Sequence, residues 1–114
     1  VHDDLRQYAT VRTWFDGLRQ QSGTDPETDP TPLEKLQRFC AFVDRDPDTI
    51  VQECLRETAG GTKISMRGLR LYAQKIDEFA AQAGEARQRA AIGSTLRSFL
   101  IHNGIFLQSA PVLR

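Results

Sequence analysis

Two histidines and two cysteines are all that the chain's 114 residues offer for imidazole or thiol chemistry. His2 and His102 have no cysteine or carboxylate near them at metal-ligand spacing, so no metal site is expected. Cys40 and Cys54 each fall inside an apolar helical pattern, which favours two buried thiols in a reducing compartment. Sequence gives no distance between them, so a disulfide stays open. No apolar run approaches the ~18 residues of a membrane span, and no charged-then-apolar leader marks a signal peptide. The expectation is a cytoplasmic protein without membrane contact, with Val1 reading as the start of a trimmed chain. A G-x-S-x-G elbow is missing, and so is a glycine-rich phosphate loop following a strand. Gly60-Gly61-Thr62-Lys63 lacks the full spacing of such a loop. Asp44, Asp46 and Asp48 alternate like half of a calcium loop, but Pro47 interrupts them and the glycine and twelfth-position Glu are absent. No cofactor is expected. No alternating apolar–polar segment of useful length occurs, so no sheet is expected either.

What is present is the composition of one globular domain: 39% apolar and 26% charged residues, enough for a single core. Net charge is zero but unevenly spread. Residues 1–61 hold twelve acids and seven bases, and residues 62–114 hold three acids and eight bases. The excess of five bases in the second half points to a polyanion-facing surface there. Acidic loops that merely keep the chain soluble would give the same imbalance.

Helical periodicity organises nearly every segment between breakers. From Asp4 to Gln21, Leu5, Tyr8, Val11, Phe15 and Leu18 share a face with Trp14 beside them, and Ser22-Gly23 closes the run. The linker TDPETDPTP follows. Thr31-Pro32 then supplies an N-cap and a first-turn proline for a helix to about Val43, burying Leu36, Phe39, Cys40 and Val43. Asp46-Pro47 repeats the start signal for a short helix with Ile50, Val51, Cys54 and Leu55 inward, broken at Gly60-Gly61. A long helix from about Ser65 to Ala83 puts Leu69, Tyr72, Ile76, Phe79 and Ala80 inward. The fold class is therefore all-α, a compact bundle of about five helices.

The last helix, Glu85 to about Ile105, has two faces. Ile92, Leu96, Phe99 and Leu100 make the apolar one, and Arg87, Ala90, Ser94, Arg97 and Ser98 the opposite one. Asn103-Gly104 is its stop signal. Arg87 and Arg97 have no acid three or four residues away, so a polyanion could approach them; a plain solvated surface helix would read the same. Arg67, Arg70 and Lys75 on the preceding helix are expected to be occupied by carboxylates there, Lys75 by Glu78 for example.

Three strings resemble one family. Val11-Arg12-Thr13-Trp14-Phe15 is similar to a "V-R-x-W" stretch, Leu36-Gln37-Arg38-Phe39-Cys40 to an "L-x-R-F-C" segment followed by a D-P-D turn, here Asp46-Pro47-Asp48. Leu96-Arg97-Ser98-Phe99-Leu100-Ile101-His102-Asn103-Gly104-Ile105, the most specific of the three, resembles "lKSWLxHNGI". Together they resemble the N-terminal core-binding, SAM-like domain of archaeal-type tyrosine recombinases, the phage-integrase superfamily, over roughly residues 11–107.

The resemblance implies a domain that clamps one face of double-stranded DNA, residues 1–107, with residues 108–114 opening a linker to a separate C-terminal catalytic domain. That domain would carry the catalytic Arg, Lys, His and nucleophilic Tyr of DNA integration or recombination. Nothing here resembles that set, and Tyr8 and Tyr72 fall on inward helix faces, so this fragment is expected to be no enzyme. Its partners would be duplex DNA, the catalytic domain and further protomers assembled on the DNA. The implied DNA-binding positions are Thr28, Lys35, Arg38, Arg87, Arg89, Ser94 and Arg97. Cations and hydroxyls suit phosphate, and Arg87 and Arg89 stand by a helix N-terminus. Glu27, Asp29 and Glu34 flank the Lys35/Arg38 surface and would repel it. Two other classes remain: a helical protein–protein interaction module, suggested by neutrality and by Ile101, Phe106 and Leu107, and a helix-turn-helix regulator turning at Gly84.

Overall fold

A computed structural model describes residues 5–23, 25 and 28–105. After a 3-10 turn at Leu5–Gln7 come α1 (Ala9–Ser22), α2 (Thr31–Val43), α3 (Pro47–Glu53), β1 (Leu55–Thr58), β2 (Gly61–Ile64), α4 (Met66–Ala81) and α5 (Ala86–His102). It is a helical bundle, as the periodicity predicts, with one small antiparallel hairpin added. Phe106, Leu107, Val112 and Leu113, His2, Glu27 and the linker's start lie outside the described residues.

The breakers act as local chemistry requires. Gly23 ends α1 in the left-handed region at φ 76°, its N–H donating to the Arg19 carbonyl. Asp46 caps α3 by accepting from the Thr49 N–H at 2.7 Å, with Pro47 in the first turn, where its missing donor costs nothing. The end of α5 is a complete Schellman motif: Gly104 N–H to the Ile101 carbonyl and Ile105 N–H to the Leu100 carbonyl, with Gly104 at φ 87°. That turn folds Ile105 back until it is wholly buried.

Three expectations need correction. The expected absence of a sheet fails, because β1 and β2 pair in the register Leu55↔Ile64, Arg56↔Lys63, Glu57↔Thr62 and Thr58↔Gly61. Each strand has four residues, too few for alternation to show; the paired residues Leu55 and Ile64, half-buried at the hairpin's base, mark the inner face there, while Thr58 at the far end is half-buried as well. Leu55 therefore belongs to a strand, since α3 stops at Glu53 and the Ser65 N–H takes the Cys54 carbonyl. Thr31 is not the cap of α2 but its first residue: Asp29 reaches forward to accept from the Thr31 N–H at 3.0 Å.

The core runs through all five helices. Val11, Trp14 and Phe15 of α1 meet Leu36, Phe39 and Cys40 of α2, Ile50 and Val51 of α3, Tyr72 and Ile76 of α4, and Leu96, Phe99 and Leu100 of α5. Leu69 and Phe79 are half-buried against it rather than enclosed. Each fully buried side chain of this size contributes about 1.5–3 kcal/mol, so the core carries the fold. Trp14 is its hub, edge-on to Phe99 at 5.5 Å, tilted against Phe15 at 5.7 Å, its Nε1–H donating to the Ser98 hydroxyl at 3.1 Å.

Two glycines set how the helices approach. Gly68 packs so tightly on the end of α3 that an added Cβ would lie 1.9 Å from the Glu53 carbonyl oxygen. Gly17 lies under the His102 ring, 2.1 Å from where a Cβ would stand. The His102 Nδ1 is tied to the Ser98 carbonyl at 2.8 Å, which fixes the ring there.

Candidate nucleic-acid interface

The first two turns of α5 stand clear of the core. Residues 86–91 are all exposed, and burial on this helix begins with Ile92 and Gly93. This stretch carries Arg87 and Arg89, with no acid in its first turn. Cations at a helix N-terminus work against the macrodipole, by about 0.3–1 kcal/mol each at an exposed site. Arg89 partly escapes this by donating to the Gly84 carbonyl at 2.8 Å. The Arg87 guanidinium makes no hydrogen bond or ion pair with any described residue. Ser94 is exposed on the same helix, two turns on.

Between α2, the end of α4 and this part of α5 runs a cleft of about 550 Å³. Lys35 and Arg38 line it from α2, Gln82 from the end of α4, Gln88 from α5, with Phe79, Ala91 and Ile92 as its apolar lining. Two cations and two amides face it, and no carboxylate does. Lys35 and Arg38 are thus brought together with α5. The amides Gln82 and Gln88 escape sequence reading, since nothing in an isolated glutamine marks a cleft.

Arg97 sits elsewhere, half-buried over Gly93, with its guanidinium 3.6 Å from the Asp77 carboxylate of α4. The acid that answers it comes from another helix, where three- and four-residue spacing cannot find it. The opposite holds on α4. Lys75 does pair with Glu78, at 3.5 Å, but Arg67 and Arg70 have no ion pair among the described residues, against expectation. Neither has an acid three or four positions away.

Thr28 is exposed and its hydroxyl donates to the Asp25 carbonyl at 2.8 Å, in the chain ahead of the cleft residues. Of the acids expected to repel a polyanion, Asp29 is held below the usual carboxylate range, chiefly by the Thr31 N–H and then by the Thr31 hydroxyl. Its charge is committed to starting α2. Glu34 is exposed in the first turn of that helix, where an acid favours the dipole.

The remaining reactive groups are in structural use. The three aspartates that alternate like a calcium loop separate into a left-handed C-cap (Asp44, φ 57°), the cap of α3 (Asp46), and an acceptor for the Thr10 hydroxyl at 2.6 Å (Asp48). No cluster of three metal-ligating side chains occurs among the described residues. Cys40 and Cys54 are buried free thiols, pushed up to about 12 and about 11 by burial first and nearby acids second. The Tyr72 phenol donates to Glu53, which also accepts from Arg45 at 3.2 Å; burial first, then that hydrogen bond, raise its pKa. A phenol so held is a poor nucleophile. Tyr8 is half-buried at the start of α1. No helix among the described residues is long and apolar enough to cross a membrane.

Compared with known proteins, the chain matches no family model, no curated protein and no solved structure.

Proposed function

We propose that the chain is a duplex-DNA clamp, the core-binding domain of a tyrosine-recombinase-type enzyme whose strand exchange is carried out by a separate catalytic domain. The observation that carries this reading is the acid-free cleft in which Lys35 and Arg38 of α2 face Gln88 of α5, beside the free Arg87. These are the two helices that the family resemblance assigns to the duplex. Guanidinium and ammonium groups neutralise phosphates, and the amides add neutral hydrogen bonds, so the cleft suits a sugar–phosphate backbone. With zero net charge over the chain, the local field rather than the global one must attract DNA, and binding is strongest at low salt.

The fragment itself cuts and joins nothing in this reading. Tyr72, spent on Glu53, does not become covalently attached to a nicked suicide duplex. The test of the clamp is a fluorescence-anisotropy titration of duplex DNA over a salt series. Lys35→Ala with Arg38→Ala flattens the slope of log affinity against log salt by up to about 1.8, or about 0.9 for each phosphate no longer neutralised. Absence of any wild-type binding at low salt overturns it. A protein-interaction module is then favoured by Phe42, 38% exposed although stacked at 6.5 Å on Phe39, and by Ile101 at 41%.

A further inference from the structure

The hairpin carries a charge arrangement that the clamp reading does not use. Arg56 and Lys63 are direct cross-strand partners, so their side chains leave the same face of the sheet. At the hairpin's base that face points away from the core, because Arg56 and Lys63 are exposed while the adjoining pair Leu55 and Ile64 is half-buried on the other side. Like charges directly opposite one another destabilise a strand pair. The hairpin's own acid does nothing to relieve them: Glu57 lies on the opposite face, where it accepts from the Thr62 hydroxyl at 2.7 Å. Arg67, in the first turn of α4, lines a groove of about 400 Å³ together with Arg56. Arg67 sits against the positive end of the helix dipole. The side chains of Arg56, Lys63 and Arg67 form no ion pair or hydrogen bond with any described residue. Arg56 therefore shares a sheet face with Lys63 and a groove with Arg67, and none of the three has a carboxylate partner among the described residues.

We propose that this outer face of the hairpin, with the start of α4, is a second phosphate-contacting surface, which grips the backbone of the same duplex as a rigid wing. The inference rests on the duplex-binding reading above. The wing is fixed rather than loose. The Ser65 N–H closes its base on the Cys54 carbonyl at 2.8 Å, and Gly68 presses α4 onto the backbone of Glu53 and Cys54. Its tip is Ala59-Gly60, and Gly61, which opens β2 at φ 111°, has nothing near its missing Cβ, so main chain can come close to a surface. Arginine forks suit phosphate oxygens. A lipid surface would ask for aromatic or large aliphatic anchors at the tip, and Ala59, Gly60 and Gly61 supply none. The groove's exposed apolar residue, Met66, stands at its helix end.

The same salt-series titration tests this with a second pair, Arg56→Ala with Lys63→Ala, beside the Lys35/Arg38 pair. The hairpin pair flattens the slope by about 0.9 per phosphate freed, so between 50 and 200 mM salt its affinity falls about ten-fold less than that of the wild type. Lys63→Glu separates binding from folding: it places an acid opposite Arg56, raises the melting temperature, and still weakens DNA binding. If the cleft pair flattens the slope and the hairpin pair does not, the wing is overturned and the clamp stands. Flattening by the hairpin pair alone supports the wing and moves the clamp off the cleft. Should the wild type bind vesicles of anionic phosphatidylserine through Arg56 and Lys63 but no duplex at low salt, the wing is a membrane contact and the inference fails. Failure to bind either probe overturns wing and clamp together.

Discussion

Gly68→Ala sets helix propensity against packing, and the two make opposite forecasts. Alanine is better than glycine inside a helix by about 0.8–1.0 kcal/mol, so propensity alone expects stabilisation. The structure expects the reverse. A Cβ at position 68 would stand 1.9 Å from the Glu53 carbonyl oxygen, 2.8 Å from its carbon and 3.0 Å from the Cys54 Cα. All three are backbone atoms, so no side chain can swing aside. Ordinary contact needs roughly 1.5 Å more room. That shift would pull α4 from the end of α3 and stretch the 2.8 Å Ser65–Cys54 bond that closes the hairpin. Overpacking of this kind costs about 1–3 kcal/mol, and contact with rigid backbone belongs at the upper end. Net of propensity, a loss of about 2 kcal/mol lowers the melting temperature by about 8 °C for a domain of this size. Thermal unfolding followed by circular dichroism at 222 nm measures it. Gly60→Ala is the control, because its nearest neighbours lie 3.9 Å from the added Cβ and both are side-chain atoms. A Gly68→Ala protein as stable as the wild type would refute the close approach and, with it, the rigid seating of the hairpin.

Asn103→Ala removes donors to the Thr10 carbonyl at 3.1 Å and the Phe99 carbonyl at 2.8 Å, and lowers unfolding free energy by about 1–2 kcal/mol in a urea titration. An unchanged midpoint would show that the α1–α5 seam does not need it. Both thiols resist alkylation at pH 8 in the native state and react once urea unfolds the chain; rapid native labelling would contradict their burial. Because folding raises the Cys40 and Cys54 pKa values from 9.0 to about 12 and about 11, the unfolded chain loses these protons first. Stability therefore falls from about pH 9 upward to about pH 12, and a flat profile there would count against the shifts. Asp77→Ala releases Arg97 from its 3.6 Å partner and increases DNA affinity at low salt; no increase would take Arg97 out of the interface.

How much was legible in the sequence depended on the range of each interaction. The start of α2 (to within one residue) and the start of α3 follow from proline and aspartate acting within one turn, and the stop of α5 from a glycine in the left-handed region. These signals are local, so sequence spacing reads them. The hairpin was not legible, because its strands hold two residues per face and its identity depends on a tertiary event, the Ser65–Cys54 closure. Charge partners divide in the same way. Lys75–Glu78 is an intrahelical pair and visible; Arg97–Asp77 crosses from α5 to α4 and is not. Arg97 reads as a free cation from its own helix for that reason, whereas the freedom of Arg67 was readable, since no acid lies three or four positions from it. Half of the candidate site, Lys35 and Arg38 near α5, was readable, whereas Gln82, Gln88, Arg56 and Lys63 needed the fold.

The strings that carry the family resemblance turn out to be the joints of the domain. From the first, Trp14 donates to Ser98 of the third and packs on Phe99; from the third, Asn103 reaches the Thr10 carbonyl and His102 covers Gly17. From the second, Leu36, Phe39 and Cys40 are buried and only Arg38 turns outward to the cleft. Such residues are constrained by packing and hydrogen bonding, so a likeness in them speaks to how the helices are assembled. It says little about phosphate. Under the proposed duplex-binding reading, the chemistry would come from the cations that the fold leaves without partners, and these lie mostly outside the strings. The two sets are therefore separable by experiment. Substitutions at Trp14, Ser98 or Asn103 should move the unfolding midpoint and leave the salt slope of the surviving folded protein alone. Alanine at Lys35 or Arg38 should move the slope and leave the midpoint nearly fixed, since surface charges of this kind rarely change stability by more than about 0.5 kcal/mol, and alanine at Arg56 or Lys63 should move the slope without lowering the midpoint, because it relieves a like-charge pair. A seam variant that changes the slope while fully folded would mean that the joint itself touches DNA, and the division between scaffold and contact surface would have to be redrawn.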